Sequence, residues 1–133
     1  MDDDREGRLG GVRILLVDDS PDVLETLQML LEIEGAWVIT ANSGLQALEL
    51  LPQGPFDLLI SDIGMPGMDG HQLIEAVRKR LDDPPPGIAL TGFASQEDIK
   101  RAITAGFARH LGKPVSFDAL IEAAEAVVRG PAG

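Results

Sequence analysis

The sequence predicts an α/β fold: a parallel β-sheet covered by helices on both faces. Short apolar runs alternate with helix-like patterns five times along the 133 residues. The segments between them are short, and no internal repeat or low-complexity tract interrupts them. Such alternation indicates βαβ units, whose right-handed crossovers place helices on both sides of a parallel sheet. The length suits one compact domain with its own core.

The first unit begins with a predicted strand at residues 12–17, a short apolar run rich in β-formers. Ser20 is the expected cap of the first helix, and Pro21 occupies its first position, where a missing N–H is tolerated. Gly35 ends this helix, and residues 36–40 form the predicted second strand. The first helix is therefore bounded by residues that typically begin and end helices.

The second and third units follow the same pattern. Ser43 opens a short second helix, and a proline- and glycine-containing turn at residues 52–55 leads to a third strand at 56–61. Residues 64–70 form a loop before the third helix. Apolar residues recur in that helix at helical spacing: Leu73, Ile74, Val77 and Leu81.

The last two units are predicted after the extended proline block at residues 84–86. Residues 88–91 form the fourth strand, and Ser95 caps the fourth helix. Residues 107–111 form a weaker fifth strand with the character of a sheet edge. One apolar stripe marks the fifth helix: Phe117, Leu120, Ile121, Ala124 and Val128.

These five units fit a flavodoxin-like (βα)5 three-layer sandwich with a parallel sheet of strand order 2-1-3-4-5. The domain is predicted at residues 12–129, after a flexible N-terminal tail at 1–11 and before a C-terminal tail at 130–133. In this order strands 1 and 3 are neighbours, and ligands bind in the crevice at their carboxyl ends.

The composition narrows the classes of function. A formal net charge of −11 argues against direct binding to nucleic acid or to an anionic membrane. No stretch approaches the roughly 18 apolar residues of a membrane span, and the charged N-terminus is unlike a secretory signal. The absence of cysteine excludes disulfides and thiolate metal sites and fits a cytoplasmic location.

Polar residues with reactive side chains follow or end several predicted strands. Asp18 and Asp19 follow strand 1, and Asp62 follows strand 3; Thr91 ends strand 4, and Lys113 follows strand 5. Each alone has an ordinary explanation as a turn, cap, strand or surface residue. Together they predict three carboxylates, a hydroxyl and an ammonium group at one edge of the sheet.

Clustered carboxylates repel one another unless a cation compensates them. Mg²⁺ prefers oxygen ligands and is commonly held by one or two carboxylates plus phosphate oxygens. Zinc fits poorly, because the chain has no cysteine and only His71 and His110 as imidazole ligands. The expected cofactor is therefore Mg²⁺, for which Mn²⁺ can substitute, and no organic cofactor is expected.

Short motifs at these strand ends match a known family. They are Leu16-Val17-Asp18-Asp19-Ser20, Ser61-Asp62-Ile63-Gly64-Met65-Pro66-Gly67-Met68-Asp69-Gly70, Leu90-Thr91-Gly92, Ala105-Gly106-Phe107 and Lys113-Pro114. With this set, residues 12–129 resemble the receiver domains of two-component response regulators, of the chemotaxis CheY type. Residues 89–93 and 113–115 look similar to receivers fused to hybrid histidine kinases.

The resemblance implies a role for each acidic residue. Asp62 matches the phosphoacceptor of the family. Asp18 and Asp19 match the acidic pair that positions Mg²⁺ next to Asp62, and the backbone carbonyl of Gly64 matches a further metal ligand. The metal site implied by the family thus comprises Asp18, Asp19, Asp62 and the Gly64 carbonyl.

The resemblance also implies roles around the phosphoryl group. Thr91 matches the hydroxyl that bonds it, and Lys113 the cation that pairs with it. Pro114 matches a proline usually preceded by a cis peptide, which aims the lysine inward. Thr91 and His110 fall at the two switch positions of the family. At the position of His110, Tyr or Phe is commoner than His.

The implied function is phosphoacceptance in a two-component system. The donor is a histidine kinase or a histidine phosphotransfer protein, and the domain catalyses its own phosphorylation and dephosphorylation instead of acting as a conventional enzyme. The resemblance does not decide whether the full-length protein also contains a fused histidine kinase. A downstream protein is expected to bind the surface of helix 4, strand 5 and helix 5, including Lys100, Arg101, Ile103 and Ala105.

Three alternative functions belong to other classes of protein. A haloacid-dehalogenase-type phosphatase also uses an aspartyl nucleophile, but it needs a second Asp two residues later, and Ser20 stands two residues after Asp18. A flavin or nucleotide-binding module needs a glycine- or Ser/Thr-rich loop after strand 1. A pseudo-receiver would serve only as a docking domain, although all the chemical positions are present.

Overall fold

The structure, a computed structural model, describes residues 7–92 and 95–130 and contains one parallel sheet of order β2-β1-β3-β4-β5, which confirms the predicted order. The strands are β1 (Arg13–Val17), β2 (Trp37–Ala41), β3 (Leu58–Asp62), β4 (Gly87–Thr91) and β5 (Arg109–Gly112). The helices are α1 (Pro21–Ile33), α2 (Gly44–Leu50), α3 (Gly70–Arg80), α4 (Gln96–Ala105) and α5 (Phe117–Arg129), and a 3₁₀ turn (Leu51–Gln53) follows α2.

Every α-helix begins at a side chain that accepts a hydrogen bond from a backbone N–H of the first turn. These N-caps are Ser20, Ser43, Asp69, Ser95 and Ser116. At α3 the cap is reciprocal, because the side chain of Gln72 also accepts from the N–H of Asp69. The caps fix where each chain segment leaves the sheet edge and turns into a helix.

The core has two parts, one on each face of the sheet. Ile14 and Leu16 of β1 pack with α1 and α5, whereas Leu15 and Val17 pack with α2, α3 and α4. All four side chains are fully buried. A central parallel strand buried on both faces is expected to be apolar throughout, which is why β1 reads as a continuous apolar run.

The N-terminal segment differs from the prediction. Leu9 is fully buried between α1 and α5, and its N–H donates to the carbonyl of Glu34 at 2.8 Å. The guanidinium of Arg8 lies 2.8 Å from Glu125. The flexible tail predicted at residues 1–11 is therefore wrong for residues 7–11, because one apolar side chain fills a gap in the core. Residues 1–6 and 131–133 lie outside the described residues.

The fifth strand also begins later than predicted. Gly106 follows α4 with a φ of +125°, a backbone conformation that favours glycine, and the N–H of Phe107 donates to the carbonyl of Ala102. Phe107 therefore packs in the core as part of the helix end, and the strand starts at Arg109. Among the described residues no helix is long and apolar enough to cross a membrane.

Candidate functional site

The three acidic residues singled out in the sequence meet at the carboxyl edge of the sheet. Asp18 follows β1 and Asp62 ends β3, and these strands pair directly up to Val17 and Ser61. Asp18, Asp19 and Asp62 each offer a carboxylate oxygen, and these oxygens all lie within 4.8 Å of one another. Asp18 and Asp62 are buried, whereas Asp19 is exposed. The cluster is thus open to solvent on one side.

Local hydrogen bonds orient the two buried carboxylates. Oδ1 of Asp18 accepts from the N–H of Ser20 at 2.9 Å, at the turn that leads into α1. Oδ1 of Asp62 accepts from the N–H of Gly64 at 3.2 Å, at the start of the next loop. Each carboxylate is therefore fixed by the turn that follows its own strand.

The ammonium group of Lys113 joins these carboxylates. It lies 3.1 Å from Oδ1 of Asp62 and 3.2 Å from Oδ2 of Asp18. The N–H of Lys113 donates to the carbonyl of Thr91 at 2.8 Å, which extends the pairing of β4 with β5 up to the site. The peptide bond between Lys113 and Pro114 is cis.

Burial and the neighbouring opposite charges shift the pKa values of Asp62 and Lys113 in opposite directions. Burial raises the pKa of Asp62, and this outweighs the lowering by Lys113 and by the Gly64 N–H. Burial lowers the pKa of Lys113, but its hydrogen bonds and attraction to Asp62 and Asp18 raise it above the usual value. A metal cation next to Asp62 would lower the free-energy cost of burying its negative charge.

The donor set fits a hard divalent cation. The cluster presents three carboxylates, and the charge of Lys113 compensates only part of theirs. Oxygen ligands of this kind suit Mg²⁺, which keeps several waters and needs open coordination positions. The exposed side at Asp19 leaves room for these waters. The role of the Gly64 carbonyl stays a prediction.

Thr91 and His110 lie on the adjacent strands β4 and β5. Thr91 is buried, and its hydroxyl lies 3.5 Å from the carbonyl of Leu111. His110 is half-buried and pairs in register with Ala89, and its buried Nδ1 has no hydrogen-bond partner among the described residues. Their switch roles stay predictions. Of the expected output surface, Lys100, Arg101 and Ile103 are exposed, but Ala105 is buried in the core and must be removed from it.

A groove next to Lys113 was not predicted from the sequence. It has a volume of about 300 Å³ and lies between α1 and the segment after β5. Its lining residues are Asp22, Val23, Thr26, Leu27, Lys113, Pro114 and Val115. Apolar residues four positions apart on α1 were a signal for it, but only the fold brings residues 113–115 opposite that helix.

Comparison with known proteins gives the family. Residues 14–125 match the response regulator receiver domain family. The chain belongs to this family. The receiver domain is therefore a two-component signalling domain with a CheY-like fold, as the motifs implied.

Relatives of the receiver domain differ in length. The receiver domain is 44% identical over 108 residues to the uncharacterized 14.6 kDa protein in the sodA1 3′ region of Leptolyngbya boryana. The match covers 80% of this chain and 82% of that protein. The receiver domain is 41% identical over 108 residues to the sensor histidine kinase GacS of Pseudomonas protegens, covering 78% of this chain but only 12% of the kinase. With the Escherichia coli transcriptional regulatory protein GlrR it shares 42% over 110 residues, covering 83% of this chain and 24% of that protein.

Solved structures agree with this assignment. The Vibrio cholerae chemotaxis protein CheY4 is 30% identical with a TM-score of 0.83, covering 89% of the receiver domain and 99% of that chain. The signal receiver domain of an HD domain-containing protein from Pseudomonas fluorescens is 32% identical with a TM-score of 0.82, covering 90% and 95%. The fold is thus shared along nearly the whole length of both chains.

Proposed function

We propose that this receiver domain accepts a phosphoryl group on the carboxylate of Asp62 in a Mg²⁺-dependent reaction. The observation that carries the proposal is the cluster of Asp18, Asp19 and Asp62 with the ammonium of Lys113 in contact with two of them. Asp62 is buried, accepts a backbone hydrogen bond and contacts Lys113, so its carboxylate has a defined orientation, and it shares these three features with Asp18.

Asp18, Asp19, Asp62 and the carbonyl of Gly64 would hold the metal ion. When bound, Mg²⁺ (or Mn²⁺ in its place) neutralises the oxygens of the transferring phosphoryl group. Two of these carboxylates are fixed by their own turns, so the site requires little rearrangement. The exposed carboxylate of Asp19 completes the set from the solvent side.

In the proposed reaction an oxygen of the Asp62 carboxylate attacks the phosphorus atom of a phosphohistidine. A P–O bond forms, the P–N bond breaks, and the electron pair returns to the leaving imidazole, which takes up a proton. Lys113 exchanges its contact with Asp62 for one with a phosphoryl oxygen, where it stabilises developing charge. The donor and acceptor are held in line, and the protein adds little further covalent chemistry.

The proposed switch follows from the added charge. A phosphoryl group on Asp62 carries about −1.5 to −2 charge and strong acceptor oxygens. The hydroxyl of Thr91 turns toward it and gives up its long contact with the carbonyl of Leu111. His110 then moves inward beside Ala89, which changes the surface formed by α4, β5 and α5.

The proposed partners are a histidine kinase or histidine phosphotransfer protein as donor, and a downstream protein that binds the surface of α4, β5 and α5. The groove between α1 and residues 113–115 supports protein docking on the donor side, because it is largely apolar and contains Lys113 itself. A net charge of −11 disfavours direct contact with nucleic acid or an anionic membrane. A cytoplasmic location is proposed with these partners.

The test is phosphorylation of the purified protein by labelled acetyl phosphate, a small acyl phosphate that replaces the protein donor. The wild type is expected to gain hydroxylamine-labile phosphate only with Mg²⁺, and Asp62→Asn to gain none. Asp57→Asn is the matched control, because Asp57 precedes β3 at its opposite end, where it accepts from the N–H of Arg13. Equal labelling of Asp62→Asn, or labelling that persists in EDTA, would reject the proposal.

A further inference from the structure

A buried hydroxyl lies beside the proposed acceptor and has no part in the mechanism described above. Ser61 is fully buried and is preceded in β3 by apolar residues only. Its register partners are Val17 of β1 and Ala89 of β4, which both belong to the core. A hydroxyl in such surroundings is unfavourable unless it is hydrogen-bonded.

The hydroxyl of Ser61 donates to the backbone carbonyl of Asp62 at 2.9 Å. The pairing of β1 with β3 ends at Val17 and Ser61, so this carbonyl lies just beyond the last pair of the ladder. The side chain of Ser61 thus supplies a donor at the position where the sheet stops supplying one.

The same carbonyl is also closed in by the start of α3. A Cβ atom on Gly70 would lie only 2.5 Å from the carbonyl oxygen of Asp62 and 2.8 Å from Cα of Ile63. The helix therefore packs directly on the peptide that joins Asp62 to Ile63. Ser61 bonds the carbonyl of this peptide, its N–H (that of Ile63) donates to the carbonyl of Leu90 at 3.0 Å, and Gly70 contacts it. Together these contacts restrict its rotation.

That peptide connects the proposed acceptor with the proposed backbone ligand. On one side it carries the carboxylate of Asp62, and on the other it leads through Ile63 to Gly64, whose N–H bonds back to Oδ1 of Asp62. Rotation of the peptide would move the carboxylate and the turn together. A mobile carboxylate loses the alignment on which in-line transfer depends.

We propose that Ser61 is a positioning residue of the phosphoryl-transfer site, acting through the Asp62 peptide. Its hydroxyl fixes the orientation of the acceptor carboxylate and of the Gly64 turn, and it contacts neither the metal ion nor the phosphoryl group. The inference rests on the function proposed for Asp62. It assigns to β3 a role beyond delivering the acceptor to the sheet edge.

Two measurements on the intact chain test this role. Mn²⁺ alone is titrated into the protein by calorimetry, and the rate of phosphorylation is measured at saturating acetyl phosphate. Ser61→Ala is expected to weaken Mn²⁺ binding and to lower the maximal rate by roughly threefold to tenfold, the range for one lost hydrogen bond. Ser61→Thr, which keeps the hydroxyl, is expected to restore both.

Ser43→Ala is the control for a general loss of stability, because it removes a serine hydroxyl that caps α2 and does not belong to the three-carboxylate cluster. Melting temperatures identify any variant that fails to fold. If Ser61→Ala matches the wild type, or if its loss is no larger than that of Ser43→Ala, the proposal is overturned.

The result also separates the two proposals. A wild type that binds Mn²⁺ but takes no phosphate rejects the proposed function, and Ser61 is then judged on Mn²⁺ affinity alone. A wild type that binds no Mn²⁺ rejects both. Normal Mn²⁺ binding and phosphorylation of Ser61→Ala rejects only the role of Ser61.

Discussion

The ammonium of Lys113 donates to Oδ2 of Asp18 at 3.2 Å, across 95 residues of sequence. Its second contact, with Asp62 at 3.1 Å, places one positive charge between two buried carboxylates. One charge compensates only part of an anionic cluster to which Asp19 also belongs. This imbalance explains why the same site would bind a divalent cation and then a phosphoryl group.

Replacing Asp19 tests the metal site with little effect on folding. Asp19→Asn removes one of three carboxylates from the cluster, but the residue is exposed. We expect the affinity for Mg²⁺ to fall about tenfold, because one full charge near the ion is lost, while stability changes by less than about 0.5 kcal/mol. Calorimetry with Mg²⁺ and urea unfolding measure the two quantities.

The control is Asp22→Asn, which removes an exposed acid in the first turn of α1 outside the three-carboxylate cluster. It is expected to keep the wild-type affinity. If both variants lose affinity equally, the effect is one of net charge, and the assigned ligand set is wrong.

Replacing Lys113 is expected to separate metal binding from chemistry. Lys113→Met keeps an unbranched side chain but removes the charge that contacts Asp62 and Asp18. Mg²⁺ should bind more tightly, because a competing cation is gone. The rate of phosphorylation by acetyl phosphate should fall by roughly tenfold or more, because a charge that stabilises the transition state is lost.

The comparison is with Lys79→Met, which removes an exposed lysine near the end of α3. That variant should match the wild type in both assays. Unchanged phosphorylation of Lys113→Met would remove Lys113 from the mechanism.

The raised pKa of Asp62 predicts a pH-dependent difference in stability without metal. Because the folded pKa lies above the unfolded one, the folded state binds the proton more tightly, and its stability rises as pH falls through the folded pKa. The buried carboxylate is therefore destabilising in its ionised form. Metal-free Asp62→Asn should be more stable than the wild type at pH 7, and the difference should shrink as the pH falls through the folded pKa of Asp62.

Urea unfolding in EDTA at several pH values measures this difference, and added Mg²⁺ should reduce it at pH 7. A wild type that is more stable than Asp62→Asn at pH 7 without metal would mean that the carboxylate is fully compensated by Lys113.

The burial of Leu9 predicts that residues 7–11 belong to the folded domain, and we propose that the domain includes residues 7–129. Leu9→Ala should destabilise the protein by about 2–5 kcal/mol, the range for truncating a fully buried leucine. Leu45→Ala, at an exposed position of α2, should change stability by less than about 0.5 kcal/mol. Equal effects on the urea midpoint would place residues 7–11 outside the domain.

Most of the fold was predictable because local signals and topology agree. Ser20, Ser43 and Ser95 were identified as caps from sequence and are caps in the structure. The sheet order followed from the alternation of strands and helices, and it brings Asp18, Asp19 and Asp62 together. Side chains after different parallel strands converge whenever the order of the strands is right.

Features that depend on tertiary packing were not predictable. Leu9 stands in a polar segment, and only the gap between α1 and α5 explains its burial. Ala105 looked like a surface residue of α4, but the helix turns it toward the core. The bond from Ser61 to the Asp62 carbonyl depends on the point at which β1 and β3 stop pairing, which no periodicity in the sequence reveals.

Chemical mapping of the phosphate tests most directly whether Asp62 is the acceptor. The protein is phosphorylated by acetyl phosphate with Mg²⁺, the acyl phosphate is reduced with borohydride, and the peptides are analysed by mass spectrometry. We expect conversion of Asp62, and of no other aspartate, to homoserine. Reduction at Asp18 or Asp19 instead, or no reduced aspartate in a protein that carries phosphate, would contradict it.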